Sequence, residues 1–342
     1  MSAGGLRIAL AGATGTLARE VVDVLERRTL PVEEILPFAT GQSIGEEVEF
    51  RGELFPVVTE IPSLRGVDLV LVCAPPGVAL GVIREALRAE APCIDCSGAL
   101  SDSRDVPLLV SALSNPTAAL GAPLIAMPAG PALGWSLALA PLVEAAGLEA
   151  LTATVLRSVA RAGRKGIDTL SRETLSLLGQ QEVPEPEEFG SPVAFDCVPL
   201  VSVDGAADAE SRMLGDLERL LSPRADGEHE PGWLQRRARV HSVQVPTFVS
   251  DLTSVVLRTE RLLEPEEAQE ILEKAQGVEL ASEPGDVGPS MRDAAGADAA
   301  LVGQLEAGAP GGRELRFWLA ADAVRLSAIN AIALAETRLR LN

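Results

Sequence analysis

Histidine and lysine are nearly absent from this chain of 342 residues: two of each, His229 and His241, Lys165 and Lys274. Cysteine is only slightly commoner, with Cys73, Cys93, Cys96 and Cys197. Neither histidine nor cysteine falls in metal-ligand spacing, so no metal is expected. Cys93 and Cys96 form a C-x-x-C, but inside the apolar run APCIDCS rather than at a helix start. A redox dithiol is therefore not expected there, and reduced thiols are. No run approaches ~18 uninterrupted apolar residues, which argues against a membrane span. The chain passes from Met1 through a few small residues into a strand-like run, so no signal peptide is expected and a cytoplasmic protein is. Positive charge is also short: 29 Lys and Arg against 49 Asp and Glu leave a net −20. Nucleic acid and anionic membranes need a basic surface, so neither is an expected partner. Solubility accounts for the acidity.

What remains is ordinary for a globular protein, at 47% hydrophobic and 23% charged residues, and the length allows two domains. LRIALAG is a short apolar run ending in Gly. GATGTLAREVVDVLERR then reads as a turn entering an amphipathic helix, with Leu17, Val21, Val22 and Leu25 at helical spacing. EEILPFAT, VDLVLVCAPPG, APCIDCSGAL and PLIAMPAG read as further strands, with GVIREALRAE a helix between them. This alternation predicts a doubly wound parallel sheet, an α/β fold of Rossmann type. In such a sheet ligands lie beyond the carboxyl ends of the strands, where Gly12-Ala13-Thr14-Gly15 falls. Glycines there permit a tight turn and close backbone approach, and the following helix offers N–H groups to a phosphate.

From about residue 150 the pattern changes. LEALTATVLRSVA alternates as an antiparallel strand does, GIDTLSRETLSLL and DAESRMLGDLERLL read as helices, and RARVHSVQVPTFVSDLTSVVLRTE gives two long strands. An α+β domain is expected here. RFWLAADAVRLSAINAIALAETRL closes the chain with a strand and an Ala-rich helix suited to pack back on the first domain. The expected boundaries are residues 1–128 for the dinucleotide-binding domain, completed by helix 322–342, and 129–321 for the α+β domain, to which the resemblance given next assigns substrate binding and dimerisation.

Three stretches together resemble the NADP-dependent aspartate-semialdehyde dehydrogenases over almost the whole chain. They are GATGTLAREVVDVLERRTLPVEEI, IDCSGALSDSRDVPLLV and the tail ADAVRLSAINAIALAE with Asp322, Asn330 and Glu336. The resemblance implies reduction of an acyl phosphate to an aldehyde, or its reverse. In that chemistry a cysteine thiolate forms a thioacyl intermediate and a histidine acts as acid and base. Arginines clamp the substrate oxyanions. It also implies a homodimer and a small-molecule ligand.

Carried over position by position, the chemistry is missing. The turn that should hold the nucleophile is Met127-Pro128-Ala129-Gly130, with Gly130 at the cysteine position. The substrate arginine is Gln244, and the histidine seven residues on is Asp251. Ser101 stands at the phosphate-binding arginine and Arg157 at the orienting glutamine. Ala209 and Arg212 stand at a glutamate and a lysine, so only Arg212 keeps its charge. The nucleotide positions implied are Gly12, Thr14, Gly15, Thr16, Leu17, Thr40, Ser43, Pro75, Pro199 and Asn330. Ala18 replaces the last fingerprint glycine, a tolerated change. Gln42 stands where arginine would meet a 2′-phosphate, and Glu46 and Glu47 would repel one. A weak preference between NADP and NAD is expected.

A relocated nucleophile at Cys96 is weighed against packing, and packing is preferred, because a catalytic thiolate needs a cationic neighbour. Cys73 receives the same reading, with a place near the nucleotide. Cys93 and Cys197 read as core residues, and His241 as a satisfied structural histidine. Three functions remain open: a non-catalytic regulatory or sensor homologue, an NAD(P)-dependent oxidoreductase with altered active-site residues, and a structural scaffold.

Overall fold

The computed structural model describes residues 5–113, 121–128, 130–183, 185, 188–200, 209–222, 230–281, 287–308 and 312–340. The chain divides into two compact units, Met1–Ala129 with Ser327–Asn342, and Gly130–Leu326.

The first unit begins with strand β1 (Leu6–Ala11), helix α1 (Thr16–Glu26) and strand β2 (Val32–Phe38). A hairpin of β3 (Glu47–Phe50) and β4 (Glu53–Pro56) follows. Next come β5 (Leu69–Val72), α2 (Pro76–Arg88), β6 (Cys93–Asp95) and β7 (Leu124–Ala126). The sheet order is β2-β1-β5-β6-β7, with every pair parallel. Ala9, Ala11, Val70 and Val72 sit in a core that also takes Ala79, Val82, Ile83 and Ala86 of α2. All four residues of β5 are buried, as a central parallel strand covered on both faces must be. On α1 the buried stripe is Ala18, Val21, Val22, Val24 and Leu25. The expected doubly wound sheet is therefore present, while the β3–β4 hairpin is an addition that sequence pattern did not reveal. Its strands are four residues each, too short for alternation to speak.

The second unit starts with α3 (Ala132–Ala146), buried on nearly all sides as its continuous apolar sequence requires. In order follow β8 (Ala150–Arg157), α4 (Gly163–Leu178), β9 (Val198–Pro199), α5 (Ala209–Leu221), α6 (Trp233–Arg237), β10 (Ala238–Gln244) and β11 (Asp251–Arg258). The unit continues with α7 (Pro265–Glu273), β12 (Val278–Leu280), α8 (Met291–Ala294), β13 (Ala300–Ala307) and β14 (Glu314–Ala321). Helix α9 (Ala323–Arg340) begins in this unit and contributes to the first from Ser327 onward. The sheet is mixed, in the order β12-β13-β14-β11-β8-β10-β9. Strand β8 lies antiparallel to β11 and parallel to β10, so the alternating run LEALTATVLR serves both kinds of ladder. Leu217, Leu220 and Leu221 of α5 are buried with Met213 and Leu214, the face read from their spacing.

Two side-chain expectations fail. Cys197 is exposed rather than core. His241 is exposed on β10, because β10 lies second from the sheet edge and turns that face outward. His229 lies outside the described residues.

Candidate functional site

The nucleotide-loop residues gather at the carboxyl end of β1. Gly12 has φ +72°, and a Cβ there would stand 2.7 Å from the Ala74 backbone nitrogen, just after β5. Only glycine allows this turn and this approach of two loops. Gly15 precedes α1 in extended backbone (φ −73°) and donates its N–H to Gly12 O at 2.9 Å. A Cβ on Gly15 would meet that same oxygen at 3.1 Å. Thr16 and Leu17 open α1, where first-turn N–H groups have no carbonyl within the helix to accept them. The Thr14 and Ser43 hydroxyls share a hydrogen bond of 2.8 Å, tying this loop to the segment after β2. Thr40 precedes the short 3-10 turn Gly41–Ser43 and accepts Ser43 N–H at 3.0 Å. Beyond it, Arg19 reaches Glu46 at 3.4 Å and donates to Thr14 O. One of the two carboxylates expected to repel a phosphate thus already has a cation beside it. Pro75 is exposed between β5 and α2.

Two of the assigned nucleotide residues belong to other elements. Asn330 is buried in α9, its Oδ1 accepting from Ser111 N at 2.7 Å and its Nδ2 donating to Leu109 O at 3.2 Å. Both ends of its amide are occupied by the chain. Pro199 lies in the second unit, on edge strand β9 opposite Val243. Ser101 is fully buried in the first unit, its N–H directed to Gly98 O. Buried Asp95, which sequence reasoning passed over, accepts from Ser97 N, Ser97 Oγ and Leu100 N at 2.5–2.9 Å and shapes the loop after β6.

In the second unit four family positions come together. The pairing of β8 with β10 sets Gln244 opposite Arg157, and its pairing with β11 brings Asp251 beside them. Arg157 Nε lies 2.9 Å from Asp251 Oδ2, with the side chains only 12% and 8% exposed. Asp251 Oδ1 also accepts Ser158 N–H at 2.9 Å and the Ser158 hydroxyl at 3.4 Å. Gln244 donates to Arg157 O at 2.8 Å and to Val245 O at 3.1 Å, and accepts from Arg161 Nε at 2.6 Å. Gly130 has φ +56°, and a Cβ there would lie 3.6 Å from Arg157 Nη2. The guanidinium thus stands between the nucleophile position and the base position. Arg212 is exposed on α5.

Arg161 was not singled out from sequence, although it recurs four residues after Arg157 in RSVARAG. Part of its side chain is exposed, but the guanidinium is drawn in against Gln244 and over the Phe189 ring at 4.9 Å. Burial lowers its pKa from the usual value, the like charge of Arg157 lowers it further, and Asp251 partly offsets this. Beside Asp251 is a cavity of about 10 Å³, bordered by Pro131, Gly134, Trp135 and Thr253. It has room for about one water molecule and no more.

Chemically, this cluster gathers two guanidinium groups, a carboxylate and an amide. Gly130 has no side chain. A guanidinium keeps its proton throughout the accessible pH range and does not serve as acid or base. Asp251 is spoken for on both oxygens. Among the described residues there is no group of three or more His, Cys, Asp or Glu placed to hold a metal.

Comparison with known proteins agrees in both units. Residues 7–120 match the family description "Semialdehyde dehydrogenase, NAD binding domain", and residues 139–326 match "Semialdehyde dehydrogenase, dimerisation domain". The chain is 32% identical to a "USG-1 protein homolog" of Azotobacter vinelandii, covering 96% of each. It is 28% identical to an "Aspartate-semialdehyde dehydrogenase" of Aquifex aeolicus, covering 97% of each. The crystal structure of aspartate semialdehyde dehydrogenase II from Vibrio cholerae superposes with a TM-score of 0.88 at 26% identity, over 98% of this chain and 99% of that one.

Proposed function

The chain belongs to the aspartate-semialdehyde dehydrogenase family and carries its NAD(P)-binding unit, and we propose that it binds a dinucleotide without running the family's covalent reaction. The observation that carries this reading is the Arg157–Asp251 pair at 2.9 Å, packed beside a glycine where the nucleophile would be. A thioacyl intermediate needs a thiol and a proton acceptor within reach of each other. Here the acceptor position is a carboxylate neutralised by a guanidinium, and the thiol position has no side chain.

The first unit fits a dinucleotide on its own geometry. Gly12 and Gly15 leave bare backbone where a side chain would collide, and the start of α1 presents N–H groups toward a diphosphate. When bound, NAD(P) supplies a hydride acceptor or donor at its nicotinamide. We assign Thr14 and Ser43, whose hydroxyls share a hydrogen bond, to the ribose side, with Gln42 offering no charge to a 2′-phosphate and Arg19 already shared with Glu46. The preference between NADP and NAD should accordingly be weak.

The role that follows is regulatory: a sensor of dinucleotide occupancy, acting as a homodimer through the second unit. Leu175, Leu178 and Phe195 of that unit are each about 70% exposed, consistent with a surface that a second copy covers. No described helix is long and apolar enough to cross a membrane, and we assign the protein to the cytoplasm.

Two measurements test the proposal together. Titration calorimetry should show binding of NADP or NAD. The same protein given aspartate semialdehyde, phosphate and NADP should form no NADPH above background. Phosphate-dependent turnover would overturn the non-catalytic reading, and absence of any dinucleotide binding would leave only a scaffold.

A further inference from the structure

The C-x-x-C of the sequence does not pair with itself, but one of its cysteines meets a third. Cys93 and Cys96 lie three apart along one extended segment, which sends their side chains to opposite faces. The parallel ladder of β5 with β6 matches Val70 to Cys93, Leu71 to Ile94 and Val72 to Asp95. Continued by one residue, it sets Cys73 beside Cys96. The hydrogen bonding does continue, since Cys96 N–H donates to Val72 O at 3.1 Å. Parallel neighbours stand ~4.8 Å apart with side chains on the same face, inside the Cα separation of ~4.4–6.8 Å that a disulfide spans. The register thus sets the two side chains side by side, and Cys73 is the neighbour that raises the Cys96 thiol most.

Their surroundings differ. Cys73 is half-buried, in the loop whose backbone Gly12 touches: a Cβ on Gly12 would be 2.9 Å from the Cys73 carbonyl carbon. Cys96 is 8% exposed and also directs its sulfur to Ile94 O at 3.7 Å. The neighbouring Cys73 thiol and burial together hold the Cys96 thiol well above its ordinary range. One thiol is reachable and the other is held protonated behind it.

We propose that Cys73 and Cys96 are a peroxide-oxidisable dithiol at the nucleotide loop, with Cys73 the attacking sulfur and Cys96 the resolving one. Cys73 thiolate takes the terminal oxygen of a hydroperoxide: an S–O bond forms, the O–O bond breaks, and water or an alcohol leaves. Cys96 sulfur then attacks Cys73 sulfur: the S–S bond forms, the S–O bond breaks, and hydroxide leaves as water with the Cys96 proton. The two thiols give up two electrons and the peroxide accepts them. In a reducing compartment such a bond is transient and is reversed by thiol exchange, as redox-sensing pairs are. The pairing stands apart from the non-catalytic reading of the second unit and survives its failure.

The test uses the full chain, reduced and then treated with hydrogen peroxide. Half of its four free thiols should disappear. Under non-reducing digestion by trypsin, peptide 66–84 should be joined to peptide 89–104, with fragmentation placing the link on Cys96 rather than Cys93. Cys96→Ser should leave Cys73 as a sulfenic acid captured by dimedone, and Cys73→Ser should form no link. The proposal fails if wild-type Cys73 proceeds to sulfinic acid without the linked peptides, if the link runs through Cys93 or Cys197, or if no thiol is lost. The wild-type digest decides the matter even if a variant folds poorly.

Discussion

Arg157 and Asp251 face each other across the antiparallel pair β8–β11, nitrogen to oxygen at 2.9 Å, with about nine-tenths of each side chain enclosed. A buried ion pair contributes little net stability over a well-packed apolar pair, but breaking it leaves a buried charge without compensation. Asp251→Ala should therefore lower the unfolding free energy by about 3–5 kcal/mol, and Arg157→Met with Asp251→Leu should recover most of that loss. Urea denaturation of Asp251→Ala, of Arg157→Met and of the double variant checks this. Additive losses in the double variant would mean that the two residues do not act as a pair.

The same guanidinium decides what a restored nucleophile would do. In Gly130→Cys the new Cβ lies 3.6 Å from Arg157 Nη2. A nearby cation lowers a thiol pKa, so iodoacetamide should label residue 130 near neutral pH faster in Gly130→Cys than in Gly130→Cys with Arg157→Met. Adding Asp251→His should still give no acyl-phosphate turnover, because Ser101 and Gln244 leave the substrate oxyanions without clamps. The left-handed φ of +56° should also make Gly130→Cys less stable than wild type by about 1–2 kcal/mol.

Two glycines of the phosphate loop should separate folding from binding. Gly12→Ala places a Cβ against Ala74 backbone at a left-handed φ, so its thermal midpoint should fall. Gly15→Val retains an allowed φ, so the fold should persist while dinucleotide affinity drops by at least about tenfold, or ~1.4 kcal/mol. Calorimetry and thermal melts read the two effects separately. Unchanged affinity in Gly15→Val would remove the loop from the binding site.

Alkaline stability should depend on Cys93. Burial, with Asp95 adding to it, pushes this thiol up to about 12. In the unfolded chain a thiol ionises near its ordinary value, so between about pH 9 and 12 the folded state holds a proton that the unfolded state has released. Stability then falls as pH rises, by up to about 1.4 kcal/mol per pH unit for one thiol. Below pH 9 the contribution is fully present. Urea midpoints from pH 8 to 11 should fall less steeply in Cys93→Ala than in wild type.

Sequence by itself determined the elements that repeat a period: β1 through its loop into α1, the buried run of β5, the apolar face of α5 and the long strands β10 and β11. Hydrophobic spacing is a local property, and these segments are long enough to display it. The residue types at Gly130, Gln244 and Asp251, which carry the expectation that the family chemistry is missing, were legible too, since a residue type is visible without any coordinates. Short elements such as β3, β4 and β12 carry too few residues for any period. Only the tertiary structure decided what the replaced residues do to one another. Arg157 and Arg161 belong to one stretch of sequence and Gln244 and Asp251 to another, with Gln244 lying 87 residues after Arg157, and strand register makes them a single polar network. Register likewise drew Cys96 away from Cys93, its neighbour in sequence, and set it against Cys73. The exposure of His241 was settled in the same way, because which face of a strand meets solvent depends on the strands beside it.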